Sequence, residues 1–260
     1  MHILFIGDLV GSDGRKILKA RLPEMKKNWQ IDVCIANAEN AAAGLGLTAS
    51  LAREIKACGV DLLTMGNHTW SKYELLQSAS DISYLVRPAN VPVSWPGQGY
   101  AVINHPAGRL LVINLLGRVF MDQADDPFAT VDQLLNRLKK EQAVKLVVVD
   151  FHAEATSEKN AMAWFLDGRV TLLAGTHTHI QTADERILER GTAFITDVGM
   201  TGPVDGVIGM EKQSSLRRFV DRLPAPYEVA RGRSALCAVY VEADPATGQA
   251  VRIERIRIDE

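Results

Sequence analysis

Short apolar runs recur along the chain, separated by stretches whose apolar residues fall at helical spacing. The runs occupy residues 2–7, 32–37, 61–65, 110–115, 146–149 and 170–174, with 195–198 and 236–241 similar but shorter or later. Each is short enough for a strand, and the alternation with helical patterns argues an α/β fold. Residues 15–28 place Leu18, Leu22 and Met25 at helical spacing. Thr48 is suited to cap a helix over 49–58, which Gly59 would end. Two more helices are expected over 130–141 and 157–166, the latter capped by Ser157. The stretch 87–108, rich in Pro and Gly, reads as loop with short strands. The tail VYVEADPATGQAVRIERIRI alternates around residues 245–248 and predicts a hairpin at a sheet edge. No repeat, heptad or linker divides the chain, so one domain is expected over residues 1–260.

The polar residues that follow the runs carry the chemistry. ILFIG leads into Asp8, VCIANA into Glu39-Asn40 and LLTMG into Asn67-His68. LVVVDF leads into His152, and TLLAGT into His177-Thr178-His179. In open α/β sheets, sites form beyond the carboxyl ends of strands, so residues far apart in sequence can meet there. Each piece alone has an ordinary reading: a Gly-Asp turn, a solvated loop, a core histidine. If the chain is extended at 177–179, residues i and i+2 point the same way. The conjunction of five strand ends decides the reading. His2 and His105 fit no such pattern and receive no role.

Carboxylate, carboxamide and imidazole without thiolate suit Fe, Mn or Zn in a reactive site better than a structural zinc site. A carboxylate can bridge two divalent ions, and such a pair stabilises both the attacking and the leaving oxygen of a displacement. The metal ligands read from the chain thus include Asp8, Glu39, Asn67, His152, His177 and His179.

Composition narrows the partners. The net charge is −2 and the pI about 6.3, with no electrostatic footprint for duplex nucleic acid. The start, MHILFIGDLVGSDGRK, has no secretory pattern, and no run approaches the roughly 20 apolar residues that span a bilayer. A cytoplasmic protein with no membrane partner is expected; a homo-oligomer is left open. Cys34, Cys58 and Cys237, odd in number and far apart, read as buried reduced thiols. No Walker A sequence, Rossmann glycine fingerprint or HExxH motif occurs.

GDLVG, NAEN, GNH, FHAE and GTHTH stand in the order found in the calcineurin-like metallophosphoesterase superfamily. NAENAAAG, GNHTW, HAEATSEK, GTHTHIQTAD and DVGMTGP resemble its bacterial YmdB-type 2′,3′-cyclic-nucleotide phosphodiesterase branch. The resemblance runs from Met1 to about Gly209. It implies a four-layer αββα sandwich with mixed sheets and a binuclear metal centre. One ion would be held by Asp8, Glu39, Asn40 and His179. The other would be held by Glu39, Asn67, His152 and His177, with Glu39 as bridge. His68 would be catalytic, donating a proton to the leaving oxygen or holding the phosphate.

Three departures from the broad superfamily agree with the narrower branch. Val10 stands where a histidine is usual, and Asn40 would fill that vacancy if the chain turns at Glu39-Asn40, as Gly44 and Gly46 permit. Glu39 replaces the usual bridging aspartate. Thr69 follows His68 where an acid is common. Two divalent ions against Asp8, Glu39 and one hydroxide leave a single positive charge, which suits a singly charged diester. The expected activity is phosphodiester hydrolysis of cyclic nucleotides, 2′,3′-cyclic above others, by metal-hydroxide attack on phosphorus. A phosphatase or nuclease on the same scaffold, and a regulatory protein with a structural or sensing metal site, stay open. Trp70 and Tyr73 are read as core residues before base-stacking ones, and Glu158 and Lys159 as first-turn surface residues. The loop 200–203 is expected at the pocket or an oligomer contact.

Overall fold

The computed structural model describes residues 1–121 and 123–260. In chain order the elements are β1 (His2–Ile6), β2 (Asp8–Leu9), α1 (Gly11–Asn28), β3 (Val33–Asn37), α2 (Ala49–Ala57), β4 (Leu62–Thr64) and α3 (Tyr73–Ser78). There follow β5 (Leu85–Val86), β6 (Tyr100–His105), β7 (Gly108–Leu116), α4 (Pro127–Glu141), β8 (Leu146–His152), α5 (Thr156–Leu166) and β9 (Leu172–Thr176). The chain continues through β10 (Arg186–Ile187), β11 (Ala193–Ile195), β12 (Met200–Pro203), α6 (Lys212–Phe219), β13 (Ser234–Ala243) and β14 (Ala250–Asp259).

Two mixed sheets stack face to face. The first runs β2-β12-β13-β1-β3-β4-β5, with β14 paired to the free side of β13; the second runs β10-β11-β9-β8-β7-β6. β1, β3, β4 and β5 are mutually parallel, as are β7, β8 and β9. Their apolar runs are continuous because each strand is covered on both faces. Ile3, Phe5, Val33 and Ile35 face Val112, Val148 and Leu172 of the other sheet. The alternate residues Leu4, Ile6, Cys34 and Ala36 turn outward to Ile17, Leu18 and Leu22 of α1 and Ile55 of α2. On the opposite side Leu111, Ile113, Val147 and Val149 meet Val131 and Leu135 of α4 and Met162 of α5. Period-two alternation thus builds three apolar interfaces and an αββα sandwich.

Local differences have local causes. α1 begins at Gly11, four residues before the apolar period starts, because Gly14 lets it sit on β12: a Cβ there would stand 2.2 Å from the Thr201 carbonyl oxygen. Thr48 caps α2, accepting from the Leu51 N–H at 3.3 Å. α4 starts three residues earlier than the pattern implies, since Asp126 caps it and Pro127 occupies its first turn. α5 starts at Thr156, and Ser157 lies inside it rather than capping it. The stretch 200–203 is a strand, not a loop. Cys58 is half-exposed, whereas Cys34 and Cys237 are buried. The terminal hairpin forms as expected, with β14 at the edge. No helix of the described residues is long and apolar enough to cross a membrane.

Candidate metal centre

The carboxyl ends of parallel strands from both sheets converge on one edge of the sandwich. Asp8 follows β1, Glu39 and Asn40 follow β3, and Asn67 and His68 follow β4. From the other sheet, β8 ends in His152 and β9 runs on into His177 and His179. His152 Nε2 lies 3.0 Å from Glu39 Oε1, 3.0 Å from Asn67 Oδ1 and 3.0 Å from His177 Nδ1. Asn40 Nδ2 lies 3.2 Å from Glu39 Oε1 and 3.0 Å from His179 Nε2. Asp8 Oδ2 accepts from the His177 backbone N–H at 3.3 Å. Asp8 Oδ1 is buried with no hydrogen-bond partner among the described residues. The His68 backbone N–H donates to Glu39 Oε2 at 3.1 Å.

The outer nitrogens of the three imidazoles are held by acceptors. Thr176 Oγ1 donates to Asp150 Oδ1 at 2.7 Å, so it accepts from His152 Nδ1 at 2.9 Å. His179 Nδ1 faces the Ile208 carbonyl oxygen at 2.9 Å, and a carbonyl only accepts. His177 Nε2 lies 3.2 Å from Glu154 Oε2. Each ring therefore carries its proton outside and turns a lone pair inward, as metal-binding histidines do. Inward lone pairs and carboxylate oxygens 3.0 Å apart repel unless a cation lies between them. Without a metal, a proton does part of this work: burial disfavours charge on His152, but Glu39, Asp8 and Asp150 push its pKa to about 9. Burial alone would raise Glu39, yet His152 and the nearby His68 hold it at about 2. Burial lifts Asp8 to about 6 against the opposing pull of His179 and His152. Burial and then His152 drive His177 down to about 3. Glu39, His152 and His177 offer donor atoms within 4.8 Å of one another, a group able to hold a metal ion. Together with the orphaned oxygen of Asp8, this donor set fits divalent cations.

Gly66 makes the packing possible. A Cβ there would stand 2.2 Å from Glu39 Oε2 and 2.4 Å from His152 Nε2, both buried. Gly66→Ala is expected to displace one or both, lowering stability by about 1–3 kcal/mol and weakening metal retention. Thermal unfolding and elemental analysis check this; a variant with unchanged metal content would contradict it.

A buried ion pair fixes the histidine turn. His177 (φ 103°) and His179 (φ 67°) are both left-handed, so the segment is not extended, and a folded turn rather than strand alternation brings both rings inward. Asp197 Oδ2 accepts from the Thr178 N–H at 3.1 Å and its hydroxyl at 2.8 Å, and from Lys159 Nζ at 2.7 Å. Asp197 Oδ1 accepts from the Gly199 N–H at 2.8 Å. Lys159 is 1% exposed and Glu158 9%, correcting their reading as surface residues. Glu158 accepts from the Arg118 and Val119 N–H groups. The segment after β3 turns at Glu39-Asn40, with Ala41 N donating to Ala38 O at 3.1 Å. Val10 packs with Met200 and Met210 and takes no part in the cluster.

A family model described as YmdB-like protein matches residues 4–256. The chain belongs to the YmdB-like family. It is 47% identical over 260 residues to a 2′,3′-cyclic-nucleotide 2′-phosphodiesterase of Bacillus subtilis (strain 168), covering 100% of this chain and 98% of that protein. A solved structure of a novel phosphatase from Mycoplasma pneumoniae superposes with a TM-score of 0.93 at 38% identity, covering 100% of this chain and 93% of that one. A structure of a putative 5′-nucleotidase from Staphylococcus aureus shares the fold alone, with a TM-score of 0.63 at 13% identity over 98% of this chain and 54% of that one.

In this YmdB-like chain the residues Asp8, Glu39, Asn40, Asn67, His68, His152, His177 and His179 all lie at the one edge, whereas His2 and His105 do not. His2 Nδ1 contacts the Tyr240 hydroxyl, and His105 Nδ1 accepts from the Ala107 N–H. Sequence reasoning missed Asp150, Glu154, Thr176 and Asp197. Asp150 gives the clearest signal, a carboxylate inside the apolar run LVVVDFH. Buried and raised to about 6, chiefly by that burial, it is held by the Asn37 amide at 3.0 Å and by Thr176.

Proposed function

We propose that this YmdB-like chain hydrolyses cyclic nucleotides, 2′,3′-cyclic ones above others, at a binuclear divalent-metal centre. The chain is a hydrolase of phosphoesters. The observation that carries the metal reading is the set of three imidazoles whose outer nitrogens are tied to acceptors while their inner nitrogens crowd Glu39 and Asn40. Asp8, Glu39, Asn40 and His179 would hold one ion, and Glu39, Asn67, His152 and His177 the other, with Glu39 common to both. Two divalent ions there would supply Lewis acidity and lower the pKa of water toward neutrality. The Bacillus relative's name and the singly charged diester favoured by the cluster's charge support the substrate class.

The chain's own residues do the rest. Asp150, through Thr176, holds the His152 ring in one orientation, and Glu154 does the same for His177. A water oxygen bonds to phosphorus and gives up a proton to solvent as the bond from phosphorus to one ribose oxygen breaks. His68 gives a proton to that leaving oxygen, worth roughly 10²–10⁴-fold in rate. Residues 1–260 act as one domain in this reading, because the site draws on both sheets.

Elemental analysis of protein purified without chelators is expected to find about two divalent ions per chain. Glu39→Gln should lose both, since it removes the shared charge. One ion at most after reconstitution with Mn or Fe would sink the binuclear reading. Faster hydrolysis of p-nitrophenyl phosphate than of any cyclic nucleotide would reverse the substrate assignment.

A further inference from the structure

The groove at the strand ends continues past the cluster. Beyond β4 in the first sheet lies β5, and beyond β8 in the second lies β7. Arg87, after β5, and Leu116, at the end of β7, wall a cavity of about 100 Å³ that also touches Gly66 and Asn67. A water needs only about 10–15 Å³ of such space, so the cavity has room for a flat ring.

Its walls are aromatic and donor-bearing. Trp70 and Trp95 both line it, packed edge to face with ring centroids 6.0 Å apart at 82°. The Trp70 Nε1–H is buried with no hydrogen-bond partner among the described residues. Arg87 is 7% exposed, and no carboxylate among the described residues pairs with it. Its Nε, Nη1 and Nη2 donate to the carbonyl oxygens of Pro96, Pro88 and Trp95 at 3.0, 2.7 and 3.2 Å. That use leaves two of the five guanidinium N–H groups for an acceptor. The cavity therefore offers aromatic surface and fixed donors, with no carboxylate among its described lining residues, directly beside Asn67 of the cluster.

Resting on the cyclic-nucleotide reading above, we infer that this cavity receives the substrate's nucleobase. Trp95 gives the base its stacking surface, which suits any base because every base has a π-face, and Trp70, at 82° to it, stands edge-on. The Arg87 guanidinium and the Trp70 N–H meet acceptor atoms on its edge. Arg87 and Trp95 thereby become specificity-determining residues, and Tyr73, 72% exposed, is left out.

The test compares uridine 2′,3′-cyclic phosphate with glycerol 1,2-cyclic phosphate, the same five-membered diester without a base. Trp95, 39% exposed in a loop, can be changed with little damage to the core. Trp95→Ala is expected to lower kcat/KM on the nucleotide about 5–150-fold, the range for losing one stacked base, chiefly through KM. Trp95→Phe should recover most of the loss, and the base-free diester should be processed as by the unaltered protein. Equal losses on both substrates, or none on either, would overturn the base pocket. Binding is read separately by titrating intrinsic tryptophan fluorescence with uridine 3′-monophosphate and with glycerol phosphate. Quenching by the nucleotide alone, lost in Trp95→Ala, supports the pocket; no difference between the two overturns it. If the unaltered protein cleaves neither cyclic diester, the phosphodiesterase reading fails, while the fluorescence titration still decides the pocket.

Discussion

His68→Ala is expected to lower kcat on a 2′,3′-cyclic nucleotide by roughly 10²–10⁴-fold, the range for losing general-acid assistance, with metal content unchanged. The neighbouring Asn67 Oδ1 reaches His152 Nε2, whereas His68 meets the cluster through its backbone N–H on Glu39 Oε2. Alanine keeps that N–H, so the variant should retain the cluster. The leaving group sharpens the test. A ribose alkoxide needs a proton to depart and a nitrophenolate does not, so the defect should be larger on the cyclic nucleotide than on an aryl phosphodiester. Equal defects on both would favour phosphate binding over proton donation. Metal loss in His68→Ala would mean that the ring itself is a ligand. His177→Ala is the control, expected to lose one ion and activity together.

Lys159→Met is expected to destabilise the protein by roughly 3–5 kcal/mol, because it leaves Asp197 buried without its cation. For a chain of this size that corresponds to a fall in Tm of roughly 6–20 °C. Asp197 also holds the Thr178 N–H and hydroxyl and so fixes the strained turn carrying His177 and His179. The variant should therefore lose metal more readily than its stability alone explains. Lys159→Met combined with Asp197→Asn should recover much of the stability, since no lone buried charge remains, but less of the metal affinity. A Lys159→Met protein with unchanged Tm would show that the pair contributes nothing to the fold. A double variant no more stable than the single one would place the cost elsewhere than in the unpaired charge.

The linear chain and the folded structure reveal the site in different ways. Along the chain, Asp8, Glu39, Asn67, His152 and His177 are each a polar residue at the end of an apolar run. That pattern is local, because a strand ends where its burial ends, and the first exposed turn is where chemistry can sit. The pairing of the histidines at 177 and 179 shows the limit of such reasoning. Strand alternation predicts that both rings point one way, yet the backbone there is left-handed and the rings converge through a turn. The fold brings those side chains to one edge, but a folded turn rather than an extended backbone aims the two histidines.

The sequence by itself determined the short apolar runs, the helical stretches between them and the polar residue types at the run ends, with no thiolate among them. These depend on residues within a few positions of each other, or on residue chemistry alone. Only the tertiary structure decided that the runs form two stacked sheets, since a strand covered on both faces looks the same beside a helix or beside another sheet. It alone decided the burial of Lys159. The pair with Asp197 spans 38 positions, and a lysine in the first turn of a helix reads as solvated until its partner is brought to 2.7 Å. The same holds for the hydrogen bond from Thr176 to Asp150 and the contact of Glu154 with His177. Asp150 stands out in the chain only as a charge inside an apolar run and Glu154 not at all, and both gain their role from the rings the fold sets against them. The inward lone pairs that call for a cation exist only because those distant acceptors hold the outer protons.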